Sequence, residues 1–288
     1  MTGTQIGFLH PGAMGVSLAA SAAASGCVPC WVSEGRSPAT RERADSHGLQ
    51  EVASLRELCE RCSILVSICP PHAADAVARQ VREMGYRGIY ADFNAISPDR
   101  MREIGRLQHE AGMKAVDGTI IGPPAWHPDS TTLFLAGPMA QELAECFAAA
   151  PLRTRVIGDG IGRASALKMC YAAVSKGRAA LNCAVLAAAE SLGVREELES
   201  CWDEDLAGSS ERIREQARRV TAKAWRFQGE MAEIAATLSA AGVPEGFHEA
   251  AGEIYARMAP FKDAAKLPEL DSVLAALRGR QGTDVPGE

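Results

Sequence analysis

The N-terminal stretch contains the residues best suited to bind a phosphorylated ligand. An apolar run from Ile6 to Leu9 predicts a buried strand, and the small apolar residues from Ala13 to Ala24 predict a helix. A turn between such elements can approach a pyrophosphate, because the first helical N–H groups are unpaired and lie at the positive end of the helix dipole. We therefore predict a dinucleotide-binding turn formed by His10, Pro11, Gly12, Ala13, Met14 and Gly15.

The glycine pattern of this turn is incomplete. Gly12 would allow close approach of the pyrophosphate, and Gly15 would allow the helix to lie against the strand. His10, however, stands where Gly-x-Gly-x-x-Gly has its first glycine. The pattern alone is compatible with a dinucleotide site and equally with a packed turn that binds nothing.

The end of the second predicted strand, over residues 28–33, should contact the adenosine ribose. An acidic residue there binds the 2′-hydroxyl of NAD, whereas arginine with small hydroxyl residues suits the 2′-phosphate of NADP. Glu34 favours NAD, whereas Ser33, Arg36 and Ser37, with Arg41 nearby, favour NADP. We predict NADP as the cofactor, with NAD as the alternative. A solvated loop is the interpretation without a ligand.

Three further predicted strands end in residues that suit a ligand site. Cys69, Pro70 and Pro71 follow a strand over 64–68, and Asn94 follows a strand over 88–92. Thr119 lies in a predicted turn over 117–124, after a strand over 113–116. Because ligands of open α/β sheets bind at the carboxyl ends of strands, we expect these residues near the nicotinamide and its substrate. Each of these strand ends, considered alone, is also compatible with an ordinary turn.

One predicted helix carries a lysine that could transfer protons. The Ala-rich run over residues 163–192 predicts a long helix, in which Lys168, Tyr171 and Ser175 share one face. A lysine can act as acid or base when burial or a neighbouring cation lowers its pKa. It can also simply extend its amine into solvent. The residues alone leave both roles open.

The elements that position these residues fall into two regions. Strands and helices alternate up to residue 157, which predicts a doubly wound α/β sheet of the Rossmann type over residues 1–161. Residues 162–288 predict an all-α domain. Its predicted helices cover residues 163–192, 196–206, 211–241 and 247–265, and residues 279–288 are expected to be disordered.

Composition and charge exclude several classes of partner. The net charge of −6 gives no basis for nucleic-acid binding. No apolar run is long enough for a membrane span, and the N-terminus has no basic region or cleavage site, so we expect a cytoplasmic protein. Cys27 and Cys30, like Cys59 and Cys62, have a zinc-compatible spacing, but cysteines scattered among apolar residues favour buried free thiols. We therefore predict no metal.

Three motifs resemble those of β-hydroxyacid dehydrogenases, which are related to 6-phosphogluconate dehydrogenase. Residues 7–15 resemble the family's Gly-Phe-Ile-Gly-Leu-Gly-x-Met-Gly start, and residues 117–122 stand where it has Asp-x-Pro-Val-Ser-Gly. Residues 164–168 fall where the family has Gly-x-x-x-Lys. The resemblance extends over the whole chain and is nearest to a poorly characterised branch with a distinctive helical C-terminal domain.

The resemblance implies an NAD(P)-dependent oxidoreductase that transfers a hydride to or from a small polar hydroxy or carbonyl substrate. Lys168 matches the family's catalytic lysine, so it would be the general acid or base, with Tyr171, Asn94 and Thr119 beside it. The chain departs from the family at His10, at Ile121 in place of the substrate-binding serine, and at Ala172 in place of an asparagine. A 3-hydroxy acid substrate is therefore not implied.

Two alternatives remain open at this stage. Imine reductases share this architecture and often lack the lysine, and a cofactor-binding regulatory protein without turnover would explain the missing serine and asparagine.

We also predict a homodimer. The helix over 163–192 is too long and too apolar to be covered by one small domain. Because helical domains of the resembled family pair with each other, the resemblance implies that residues 162–288 form a domain for substrate binding and dimerisation.

Overall fold

Short apolar runs in the N-terminal half form a mostly parallel sheet whose central strands are buried on both faces. The computed structural model describes residues 3–262 and 264–278. The sheet has the order β3-β2-β1-β4-β5-β6-β7-β8, with every neighbouring pair parallel except β6 and β7. Its strands are β1 (Gln5–Phe8), β2 (Val28–Val32), β3 (Gln50–Val52), β4 (Ile64–Ser67), β5 (Ile89–Asp92), β6 (Lys114–Ile121), β7 (Thr132–Ala136) and β8 (Arg153–Val156). This topology confirms the predicted Rossmann-type α/β fold.

Helices cover both faces of the sheet, as parallel strands require. One apolar core, around Phe8 and Trp31, includes residues of α1 (Ala13–Ala24), α2 (Pro38–Asp45) and α6 (Ala140–Glu145). The other, around Leu65 and Tyr90, includes residues of α3 (Leu55–Arg61), α4 (Ala74–Glu83) and α5 (Pro98–Glu110).

The chain divides into two compact units between Met169 and Cys170. This division lies inside α7 (Arg163–Leu192), downstream of the boundary that the sequence indicated after residue 161. The first turns of α7 belong to the N-terminal unit because their backbone is hydrogen-bonded to Asp117 of β6. The second unit contains the rest of α7, α8 (Arg195–Asp205), α9 (Ser209–Ala240), α10 (Gly246–Met258) and α11 (Leu270–Arg278).

Several predicted elements need correction. β6 continues to Ile121, so the turn predicted over 117–124 is largely strand. That segment pairs with β7, and a pairing partner distant in sequence leaves no local signal. β3, α6 and α11 are additional short elements. The last long predicted helix ends at Met258 and is followed by a 3₁₀ turn at Ala259–Phe261, where Pro260 cannot continue the α-helical hydrogen bonding.

Two further predictions concern the C-terminal tail and the absence of a membrane span. The tail over 279–288, predicted to be disordered, lies outside the described residues. Within the described part of the chain, no helix is both long and apolar enough to cross a membrane.

Candidate cofactor and active site

The turn after β1 has the backbone geometry of a phosphate-binding turn. Gly12 is the N-cap of α1, and a Cβ atom built on it would meet no heavy atom within 4 Å. A Cβ on Gly15 would lie 2.6 Å from the carbonyl oxygen of His10. Gly15 therefore permits the contact between helix and turn, whereas Gly12 leaves open space in front of the first N–H groups of α1.

Two arginines donate hydrogen bonds to the carbonyl groups of this turn. Nη2 of Arg36 donates to the oxygen of Leu9 at 3.1 Å, and Nη1 of Arg43 donates to the oxygen of Pro11 at 3.4 Å. The first turn of α1 contains no acidic residue. This end of the sheet therefore has a positive electrostatic character that suits an anionic ligand. Sequence reasoning missed Arg43, whose only signal was its place in the charged helix α2.

His10 is held in its neutral form. Burial, followed by the charge of Arg36, lowers the pKa of His10 to about 4. Its Nδ1 atom has no hydrogen-bond partner within the described residues, and the same is true of Nε of Arg36. Both residues line a cavity of about 500 Å³ whose apolar walls come from α3 and α4. His10 is thus part of a ligand-sized cavity in the N-terminal unit.

The other residues predicted at the end of β2 have local structural partners. The Ser33 hydroxyl donates to the carbonyl oxygen of Val52 at 3.5 Å, and the Ser37 hydroxyl caps α2 by accepting from the N–H of Thr40 at 3.3 Å. Arg41 forms an ion pair with Glu51. Of the candidates for binding a 2′-phosphate, Arg36 lines the cavity beside His10.

Asn94 joins the loops that follow β4 and β5. Its Oδ1 accepts from the N–H of Cys69 at 2.5 Å, and its Nδ2 donates to Oγ of Ser67 at 3.0 Å. The side chain is buried. Sequence reasoning placed Cys69, Pro70, Pro71 and Asn94 together, and the structure brings Cys69 and Asn94 into contact. Asn94 thereby fixes the loop in which Pro70 and Pro71 begin a 3₁₀ turn.

A buried carboxyl group ends β5. Oδ1 of Asp92 accepts from the N–H of Asn94 at 2.9 Å, and Oδ2 accepts from the Tyr90 hydroxyl at 3.5 Å. Burial raises the pKa of Asp92 to about 7, and Asp117 on the neighbouring strand adds to this shift. Asp92 and Asp117 are register partners in β5 and β6.

Asp117 connects β6 to the start of α7. Its Oδ2 accepts from the N–H groups of Gly162, Ala164 and Ser165 at 2.8–3.1 Å. Its Oδ1 accepts from the Ser165 hydroxyl at 2.7 Å. A carboxylate at a helix N-terminus satisfies unpaired donors and interacts favourably with the helix dipole. Asp117 therefore fixes the position of the first turns of α7, and sequence reasoning gave it no such role.

Lys168 is held against the end of β6 by this arrangement. Its Nζ atom donates to the carbonyl oxygen of Ile120 at 2.6 Å, and the side chain is partly buried. Ile120 directly precedes Ile121, which replaces the serine of the resembled family. Thr119 lies within the same strand and is 1% exposed. Lys168, Ile121 and Thr119 are thus associated with one strand end.

Tyr171 and Ala172 belong to the second unit. Tyr171 is 53% exposed, whereas Ala172 is buried. The Ser175 hydroxyl donates to the carbonyl oxygen of Tyr171 at 3.1 Å within α7. Within the described residues, no cluster of three or more histidine, cysteine, aspartate or glutamate residues could hold a metal ion.

These features define a dinucleotide-binding α/β protein. The open space at Gly12, the two unpartnered nitrogens and the adjoining cavity fit a phosphorylated nucleoside at the carboxyl end of the sheet. Residues 5–149 match the model of the NAD binding domain of 6-phosphogluconate dehydrogenase, and residues 189–258 match a domain of unknown function (DUF1932). The chain belongs to the 6-phosphogluconate dehydrogenase-like NAD-binding family, which confirms the predicted resemblance.

A sequence relative and a solved structure are similar to this chain but have no established function. An uncharacterized 28.5 kDa protein from the 7S RNA 5′ region of Methanothermus fervidus is 30% identical over 167 residues, which are 57% of this chain and 63% of the relative. This chain thus matches less than two thirds of that protein. The structure of the conserved protein MTH1747, described as similar to 3-hydroxyacid dehydrogenases, shares 27% identity. It has a TM-score of 0.64 and covers 90% of this chain and 100% of its own.

Two enzymes with lower identity share the fold. A 3-hydroxyisobutyrate dehydrogenase from Mycobacterium tuberculosis, solved with L-serine, is 19% identical with a TM-score of 0.69, covering 96% of this chain and 99% of its own. An imine reductase from Myxococcus stipitatus, solved as a variant with NAD⁺, is 17% identical with a TM-score of 0.57. It covers 96% of this chain and 100% of its own.

Proposed function

We propose that the chain is an NADP-dependent oxidoreductase acting on a small polar hydroxy or carbonyl substrate, with Lys168 as general acid and base. The observation that carries this proposal is the position of the Lys168 amine. It lies 2.6 Å from the Ile120 carbonyl oxygen, at the end of a strand in the NAD-binding unit. The backbone of its helix is fixed by Asp117.

The reaction requires a proton transfer that Lys168 can perform. When bound, the nicotinamide accepts or supplies the hydride. Oxidation of an alcohol releases the hydroxyl proton, and a neutral Lys168 amine would accept it. Reduction of a carbonyl leaves an alkoxide, to which the protonated amine would donate. The Ile120 carbonyl accepts one of the amine protons and so orients the group.

Replacing Lys168 with methionine tests this role, because Lys168→Met keeps most of the stem and deletes the amine. We expect turnover to fall about a hundredfold or more, with NADPH affinity nearly unchanged. Lys114→Met is a matched control, since Lys114 is exposed at the start of β6, the strand that also contains Ile120. Turnover by Lys168→Met close to that of Lys114→Met would remove Lys168 from the mechanism.

Asn94, Thr119 and Tyr171 receive supporting roles in this proposal. Asn94 would shape the loop that carries Cys69, Pro70 and Pro71, because its amide is already bonded there. Thr119 would act through the position of β6, since its side chain is buried. Tyr171 follows Lys168 by one turn of α7 and has an exposed side chain, so it is the proposed second proton carrier.

An imine reductase is the second candidate, favoured by the shared fold and by the absence of the substrate-binding serine and asparagine. A screen with NADPH and NADP against hydroxy acids, aldehydes and imines separates the candidates. Turnover of imines alone supports the reductase. Tight cofactor binding without turnover of any substrate class would instead support a cofactor-binding regulatory protein.

The same proposal includes a homodimer. Tyr171, Val174 and Leu181 are apolar or aromatic residues of α7 with 53%, 68% and 47% of their surface exposed. Covering such residues with a second copy would remove apolar surface from water. We expect light scattering to give twice the chain mass at micromolar concentration, and Val174→Glu to shift the distribution to monomer. A compact monomer for the unmodified chain would contradict the proposal.

A further inference from the structure

Two residues that line the cavity beside the cofactor turn each have a buried nitrogen that finds no hydrogen-bond partner in the part of the chain that the structure describes. These nitrogens are Nδ1 of His10 and Nε of Arg36, and both are shielded from solvent. The two residues come from different strand ends, after β1 and after β2. Burial of an unpaired polar atom costs free energy, so such atoms on residues that line a ligand-sized cavity indicate side chains that bind a ligand.

The cavity has the composition of a nucleoside site. It has a volume of about 500 Å³, and its lining includes the apolar side chains of Leu55 in α3, Val77 in α4 and Met84, which directly follows α4. The polar side chains His10 and Arg36 line it as well. Its position at the end of β2 is where a dinucleotide-binding fold places the adenosine ribose.

The two nitrogens differ in what they can donate. Nε of Arg36 is always a donor, because the guanidinium stays charged in proteins. Burial and the Arg36 charge keep the imidazole of His10 neutral, so its Nδ1 donates in one tautomer and accepts in the other. A phosphate group can accept from both nitrogens, whereas a ribose hydroxyl would accept from Arg36 and donate to His10.

The charges around the cavity favour the phosphate. The Arg36 and Arg43 guanidiniums contact the carbonyl groups of the turn itself. Glu34, the acidic residue that would bind a ribose 2′-hydroxyl, also lines the cavity, but its side chain is exposed to solvent. Glu51 is paired with Arg41. The remaining charged residues of the cavity wall are Arg56 on α3 and Glu83 on α4, which offset each other.

We infer that His10 and Arg36 together bind the 2′-phosphate of the adenosine ribose, so that His10 selects NADP over NAD. This inference rests on the proposed function only in requiring that the chain bind a dinucleotide. It explains why a histidine stands at the position of the first glycine in the Gly-x-Gly-x-x-Gly pattern. The imidazole supplies a ligand contact that glycine lacks, and the close approach of α1 to the turn is preserved by Gly15.

The test measures binding to the full chain by calorimetry, using NADPH, NADH, adenosine 2′,5′-bisphosphate and ADP as probes. His10→Phe keeps a ring and removes both nitrogens, whereas His10→Asn returns a polar atom near the position of Nδ1. We expect His10→Phe to weaken NADPH and the 2′,5′-bisphosphate about tenfold, as loss of a hydrogen bond to a charged group does. NADH and ADP affinities should change little, and His10→Asn should restore most of the lost affinity.

Arg36→Ala should weaken NADPH by about tenfold or more for the same reason. If both residues bind one phosphate, His10→Phe and Arg36→Ala combined should weaken binding by a factor that differs from the product of the single effects. Thermal unfolding of each variant identifies one that fails to fold, in which case His10→Gln replaces His10→Phe.

Each remaining outcome is decisive. Equal weakening of NADPH and NADH by His10→Phe would assign His10 to the turn's structure and overturn the inference. Tighter binding of NADH than of NADPH by the unmodified chain would overturn the choice of phosphate. If neither NADPH nor NADH binds, the proposed function itself fails, which distinguishes it from failure of the inference alone.

Discussion

Two groups of strands in the same sheet differ in how their buried polar groups are satisfied. After β1 and β2, His10 and Arg36 each keep one shielded nitrogen unpartnered among the described residues, and Gly12 faces open space. After β5 and within β6, the carboxyl groups of Asp92 and Asp117 accept hydrogen bonds from groups of the chain itself. The first arrangement leaves binding capacity for a ligand. In the second arrangement, groups of the chain itself satisfy the carboxyl oxygens, and these hydrogen bonds fix the elements around the proposed catalytic lysine.

The comparison predicts that Asp117 is the more costly residue to remove. Asp117→Ala would leave the N–H groups of Gly162, Ala164 and Ser165 without their acceptor. We expect the free energy of unfolding, measured in urea, to fall by about 3 kcal/mol or more, because each buried donor left without an acceptor costs about 1–3 kcal/mol. Ser165→Ala, which deletes one hydroxyl donor, should cost about 1 kcal/mol. Similar losses for the two variants would contradict the role given to Asp117.

Asp92 should make stability depend on pH with a definite sign. Its pKa is raised by burial to about 7 in the folded chain, whereas the unfolded carboxyl has its ordinary value of 3.8. The folded state therefore holds the proton more tightly. The stabilisation that this provides is complete below the unfolded pKa and is lost as pH rises towards 7, by about 1.4 kcal/mol per pH unit.

Asp92→Asn removes this contribution while keeping an oxygen for the N–H of Asn94. Measured by urea unfolding between pH 4 and pH 7, the wild type should lose about 2–4 kcal/mol relative to the variant. The other titrating groups are common to both proteins, so the difference reports the ionisation of Asp92 together with its interaction with Asp117. Parallel pH profiles for the two would show that Asp92 ionises in the folded chain at its ordinary pKa.

The two glycines of the cofactor turn provide a matched pair of substitutions with the smallest expected effects. Gly15→Ala places a Cβ 2.6 Å from the His10 carbonyl oxygen, so the backbone must move, and we expect a loss of about 1–3 kcal/mol in unfolding free energy. Gly12→Ala places its Cβ in open space. It should leave stability nearly unchanged and weaken NADPH binding. A variant Gly12→Ala that binds NADPH normally would mean that the pyrophosphate lies elsewhere.

The sequence by itself determined the features that are encoded locally. The bounds of α7, from Arg163 to Leu192, follow from an Ala-rich run without proline, and the structure confirms them. The N-cap of α3 is equally local, because the Ser54 hydroxyl accepts from the N–H of Glu57, three residues along the chain, at 3.2 Å. The alternation of strands and helices was sufficient to predict the Rossmann-type sheet.

Only the tertiary structure decided which residues meet. The extension of β6 to Ile121 depends on pairing with β7, and the unit boundary inside α7 depends on Asp117, which is 45 residues from Gly162. The hydrogen bond of Ser33 to Val52, and the presence of His10 and Arg36 in one cavity, likewise depend on contacts between separate elements. Periodicity and turn chemistry act over a few residues, whereas hydrogen-bond partners and burial are set when distant segments pack together.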